Sequence, residues 1–136
     1  MLRSGLAFSG ANINWKGRDL PYIEDDGSLT ALEVLGLNLT ETELVVLSAC
    51  GTGLGHIDNG EGVYGLQRAF RLAGADNMIV SLWDIPDKQT SEFMIIFYGY
   101  IADGYLIKQA FDLTIKQARN KYPDRSDFWA GFVLIE

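Results

Sequence analysis

Residues 43–83 read ELVVLSACGTGLGHIDNGEGVYGLQRAFRLAGADNMIVSLW, and this stretch decides the fold. Glu43–Ala49 is a valine- and leucine-rich run without polar alternation. It is too short for a helix and suits a strand buried on both faces. Gly51–Gly60 carries four glycines and reads as a turn region. From Gly60 to Ala75 the apolar spacing changes to three and four. Val63, Leu66, Ala69, Phe70 and Ala73 then share one helical face, and Gly74 is placed to stop the helix. Asn77–Trp83 is a second buried strand. Strand, helix, strand in succession predicts a βαβ unit, with parallel strands and a right-handed crossover.

Downstream, Asp84–Thr90 reads as a loop with Thr90 or Asp87 as candidate N-caps. Ser91–Ala102 is an aromatic-rich helix ended by Asp103-Gly104, and its aromatics suit a core better than a stacking platform. Tyr105–Tyr122 is a second amphipathic helix, with Ile107, Ala110, Phe111, Thr114 and Ala118 inside. Asp127–Ile135 reads as a final strand or a buried tail. Upstream, Gly5–Ile13 suits a short strand and Asn14–Ser28 a loop. Ser28–Leu39 suits a short helix or turn, capped by Ser28 or Thr30 and anchored by Leu32, Leu35, Leu37 and Leu39.

The 136 residues make one domain at most, with 48% hydrophobic and 21% charged residues to form a core and a surface. A chain of this size buries about two thirds of its unfolded surface. The net charge is -7, and no run of lysine or arginine provides the footprint of a nucleic-acid binder. An acidic surface is also repelled by anionic membranes. The expected partners therefore include neither nucleic acid nor membrane. One cysteine excludes a disulfide framework, and with one histidine it cannot close a structural zinc shell. A free thiol suits a reducing cytoplasm, and the N-terminus has no apolar region long enough for a signal peptide. The glycines of GTGLG lack the following lysine of a phosphate loop and miss the dinucleotide spacing. No cofactor is expected.

In an open parallel sheet, ligands bind outside the carboxyl ends of the strands. Cys50 stands at the end of the first strand, with Asp84 and Asp87 just past the end of the second. Cys50 is either a small buried hydrophobe or a nucleophile in a strand-to-turn bend, where following N–H groups lower its pKa and stabilise an oxyanion. A nucleophilic thiolate needs a base. His56, the one histidine, lies in the same glycine-rich loop, where it is either that base or a solvated side chain. Asp84 and Asp87 are either acids at a helix N-terminus, favoured by the macrodipole, or an acidic pocket that receives a lysine or arginine.

The motifs LSACGTG, GEGVYGLQRAF, SLWDIPD and FWAGFVL, in this order, resemble the carboxyl-terminal portion of a CHAT domain. That family groups caspase-like peptidases often found beside tetratricopeptide repeats, HetF among them. The resemblance covers nearly the whole chain from Arg3 onward. It implies a caspase–hemoglobinase α/β fold, a mostly parallel sheet flanked by helices, here as a partial domain over residues 1–136. It implies that Cys50 is the nucleophile and supplies one oxyanion N–H. The base would be a histidine in a Thr-His-Gly-like stretch preceding the region that matches Met1, so the resemblance argues against His56. Gly51 departs from the polar or acidic residue usual after the nucleophile. The acid for a basic side chain before the cleaved bond would be Asp84 or Asp87, with Ser81 and Trp83 lining the pocket. The expected substrate is a protein or peptide, and this chain alone is expected to be inactive. An amino-terminal half-domain, tetratricopeptide repeats or a second copy of the chain would be its partners. The rival reading is a non-catalytic interaction module. A nucleotide-binding module would rest on the glycines alone.

Overall fold

The computed structural model describes residues 5–8, 27–48 and 62–136. They fall into two compact units, one drawn from residues 1–43 and 55–76, the other from residues 44–54 and 77–136.

The first unit contains β1 (Gly5–Ala7), β2 (Ser28–Thr30), α1 (Ala31–Val34) and α2 (Gly62–Leu72). β1 and β2 pair antiparallel, with Gly5 opposite Thr30 and Ala7 opposite Ser28. Thr30 ends the strand and begins the helix. Its side chain accepts from the Glu33 N–H, and the Glu33 carboxylate accepts from the Thr30 N–H at 2.7 Å, closing a capping box. Of the two expected caps it is thus Thr30 that acts. The expected leucine anchors are corrected. Leu32, Leu35 and Leu37 are exposed, Leu39 is half-buried, and Ala31 and Val34 are the buried residues of α1. Strand pairing takes the first three residues of the stretch, so only one helical turn remains. Its inward face belongs to positions 31 and 34.

α2 buries Leu66, Ala69 and Phe70, with Ala73 just beyond it, at the spacing the sequence predicts. The side chain of Val63 lies outside the described residues. Gly74 ends the helix with φ +110°. The Ala75 N–H reaches back to the Phe70 carbonyl and the Gly74 N–H to that of Arg71, a Schellman closure. A Cβ at Gly74 would lie 2.8 Å from the Thr40 nitrogen, so the close approach of the 39–42 segment also requires glycine. Leu39 N–H to the Ala73 carbonyl, 2.8 Å, fixes that approach.

The second unit contains β3 (Leu44–Leu47), β4 (Asn77–Ser81), α3 (Asp87–Ala102), α4 (Ile107–Lys121) and β5 (Phe132–Ile135). β4 lies between the other two strands. It pairs parallel with β3, Leu44 opposite Asn77 and Leu47 opposite Val80, and antiparallel with β5, Ile79 opposite Leu134. The described sheet is therefore mixed, with one parallel and one antiparallel pair. Met78, Ile79 and Val80 are each at most 1% exposed, the signature of a strand covered on both faces.

One face carries Leu44, Val46, Ile79, Phe132 and Leu134, packed with Phe93, Phe97 and Phe111 of the helices. Phe93 stacks on Phe132 at 4.1 Å between centroids and meets Phe111 edge-on at 5.9 Å, so one ring joins α3 to both β5 and α4. α4 turns Ala110, Phe111, Thr114 and Ala118 inward, with Ile107 partly buried, as its periodicity predicts. The buried Thr114 hydroxyl donates to the Ala110 carbonyl at 2.7 Å and leaves no unpaired polar group. Outside the core, the Glu92 carboxylate accepts from Lys121 at 2.8 Å and from the Tyr122 hydroxyl at 2.7 Å, tying α3 to α4. α3 starts four residues earlier than the sequence suggests, at Asp87, because Pro86 serves as the entry residue. It closes through Gly104 in a second Schellman turn, whose hydrophobic contact is Tyr105 edge-on to Tyr100 at 5.4 Å. Asp127–Ile135 begins within a 3-10 turn, Ser126–Phe128, and ends as β5.

Candidate active-site loop after the central strand

β3 and β4 run parallel, so their carboxyl ends lie side by side, and whatever follows Leu47 and Ser81 leaves from one edge. Cys50 and His56 lie outside the described residues. The described part of the candidate site is the loop from Leu82 to Pro86 and the first turn of α3.

Ser81 is the last residue of β4. It is 2% exposed and sits opposite Phe132 in the antiparallel register. Leu82 N–H donates to the Gly131 carbonyl at 2.8 Å and carries the pairing one residue past the strand. The half-buried Trp83 donates its indole N–H to the Asp127 carbonyl at 2.8 Å, across 44 positions of sequence. That N–H is thereby committed within the protein. A Cβ on Gly131 would lie 2.7 Å from Trp83 Cε2 and 2.9 Å from its Nε1, so the indole rests directly on that backbone. Ile85 is buried, and its carbonyl accepts from the Thr90 hydroxyl at 3.3 Å. The Pro86 carbonyl accepts from the N–H groups of Gln89 and Thr90 at 2.9 and 3.0 Å.

Within this frame Asp84 and Asp87 are both exposed. Asp87 is the first residue of α3 and meets the positive end of the helix dipole, one of the two roles foreseen for it. Asp84 lies in the loop. The side chains that could receive a cation therefore face water, while their neighbours Ile85 and Trp83 are held inward.

Segment 122–131, which grips Trp83, is itself secured by local contacts. Trp129 donates its indole N–H to the Tyr122 carbonyl at 3.1 Å. Arg125 forms a two-pronged pair with the Asp127 carboxylate, at 2.9 and 2.7 Å, and lies 3.8 Å over the Phe128 ring. The hydrogen bond from Arg125 holds the Asp127 carboxyl below its usual range and raises the guanidinium in turn. The motif FWAGFVL supplies the Gly131 seat for the Trp83 indole, a role that its residue pattern does not spell out. A glycine between a tryptophan and a strand was the available signal, since glycine there often marks a close backbone approach. Among the described residues no three His, Cys, Asp or Glu side chains group as a metal site, and no helix is long and apolar enough to cross a membrane.

The CHAT domain family model matches residues 1–136. The chain is also similar to tetratricopeptide repeat protein 28 of Mus musculus, with 34% identity over 109 residues and 79% of this chain covered. The human protein of the same name is 36% identical over 109 residues. The chain spans 4% of the length of each of these relatives.

Proposed function

This chain belongs to the CHAT domain family, and we propose from that premise that it carries the nucleophile of a caspase-like cysteine peptidase domain. The observation that carries this reading is the parallel register of β3 and β4. It brings together the strand end that precedes Cys50 and the loop that presents Asp84 and Asp87 to water. A caspase–hemoglobinase sheet would extend from β3, its further strands contributed by sequence preceding these residues. A histidine from that preceding part deprotonates Cys50. The thiolate attacks the peptide carbonyl and the Cys50 N–H donates to the oxyanion. The C–N bond then breaks as the histidine returns its proton to the leaving amine, and water hydrolyses the thioester to release the carboxylate and the thiol. Asp84 or Asp87 receives the cationic side chain before the cleaved bond, beside Ser81 and Trp83. Tetratricopeptide repeats, which name the two relatives, are the proposed partner within a longer polypeptide.

The test is hydrolysis of an arginine-containing peptide. The intact protein should cleave it and Cys50→Ala should not, while the 136-residue chain alone stays inactive. Cys50 should also be alkylated rapidly below pH about 7, whereas an unperturbed thiol follows a pKa near ~8.5. Hydrolysis that survives Cys50→Ala, or slow alkylation with a midpoint near that ordinary value, would overturn the peptidase reading.

A further inference from the structure

Asp84 and Asp87 are exposed, yet the loop that carries them is held at several points. Two of those points, the Gly131 backbone under the indole and the Asp127 carbonyl on its N–H, come from segment 122–131. A third, the Leu82 N–H on the Gly131 carbonyl, has the same source. The bulk of Trp83 is therefore turned onto the segment that follows α4. An exposed carboxylate on a short loop has little to fix it, whereas one adjoining a ring wedged against glycine inherits the position of that ring.

We propose that Trp83, seated on Gly131 and bonded to the Asp127 carbonyl, is a positioning residue that holds Asp84 ready to receive a guanidinium or ammonium group. Segment 122–131 thereby belongs to the recognition apparatus. This inference rests on the reading of Asp84 as the receptor of a cationic side chain, but not on the peptidase reaction.

The clash at Gly131 makes the proposal testable. A Cβ there would strike Cε2 and Nε1 of the indole, at 2.7 and 2.9 Å, and Ile85 Cδ1 at 3.0 Å. A phenylalanine ring, smaller than the indole and without the N–H that ties it to the Asp127 carbonyl, is free to turn away from that Cβ. Gly131→Ala should therefore push the loop out of place, and Trp83→Phe in the same protein should relieve the push. The measurement is argininamide binding to the intact protein, with alaninamide as control. Wild type, Asp84→Asn, Gly131→Ala, Trp83→Phe and the double variant are compared. Gly131→Ala should weaken argininamide binding about tenfold, the scale of a misplacement of a fraction of an ångström. The double variant should recover to within about threefold of Trp83→Phe. A merely structural glycine would give loss without that recovery.

Unchanged binding in Gly131→Ala, or a double variant no better than Gly131→Ala, would overturn the proposal. So would a wild-type protein that binds argininamide no better than alaninamide. Peptide hydrolysis is scored separately. If argininamide binds through Asp84 and Gly131→Ala weakens it with rescue, while the intact protein cleaves nothing, the positioning role stands and the peptidase reading fails.

Discussion

α1 and the pair α3–α4 are helical for different reasons. α1 is four residues long, buries two small side chains and is held by the Thr30–Glu33 box. α3 and α4, of 16 and 15 residues, are fixed by Phe93, Phe97 and Phe111 against the sheet. The first is a product of neighbours in sequence, the second of contacts between distant residues. Local caps set where a short helix begins. Aromatic burial decides whether a long one stays in place.

The sharpest test of that difference is Phe93→Ala. It removes the ring that touches both β5 and α4 and should cost about 3–5 kcal/mol in denaturant unfolding followed through the α3–α4 unit. Gly74→Ala should follow at about 1–3 kcal/mol, because it forces a side chain onto φ +110° against the Thr40 backbone. Thr30→Ala should cost about 1 kcal/mol. Hydrogen exchange should show that loss as faster amides in β2 and α1, with α3 and α4 unchanged. An equal acceleration in α4 would erase the contrast between local and distant control.

Acid provides a smaller effect in both regions. Glu33 is held below the ordinary glutamate value of 4.5 by hydrogen bonds from Thr30, and Glu92 by those from Lys121 and Tyr122. Both folded values lie below the unfolded one. Their contribution is thus complete above pH about 4.5 and is lost as pH falls through the folded value. Lys121 is raised above its ordinary 10.5, chiefly by its bond to Glu92, so its own share is present below that value and lost as pH rises through the folded one. Glu92→Gln should remove part of the acid-induced loss when denaturation midpoints at pH 7 and pH 3 are compared. An unchanged difference would mean that the tie adds nothing to stability. The smallest effect belongs to Leu32→Ala, within about 0.5 kcal/mol, because that side chain faces water.

The sequence made legible what depends on short periods. The apolar runs became β3 and β4, paired parallel, and the spacing of three and four gave the buried faces of α2 and α4. It misled where a distant partner intervened. Residues 28–30 joined a strand because residues 5–7 pair with them, and the leucines that followed lost their inward face. A strand near the end of the chain was legible, but its antiparallel pairing with β4 and the Trp83–Asp127 bond were not, since neither leaves a mark in local periodicity. Cys50 lies outside the described residues, and its reading as a nucleophile rests on its motifs. Asp84 and Asp87 were legible as acids after a strand, but the brace that frames them needed the folded chain.

The bond from Leu82 to Gly131 has a topological meaning as well. The polypeptide leaves the sheet at one point, builds two helices and comes back to its point of departure. α3 and α4 form a handle whose two roots are pinned together. At the far end, Gly104 is exposed, with no atom within 4 Å of where a Cβ would stand. Growth or cleavage there would change the handle without pulling on its roots, and the loop of Asp84 beside those roots would be the last part to notice.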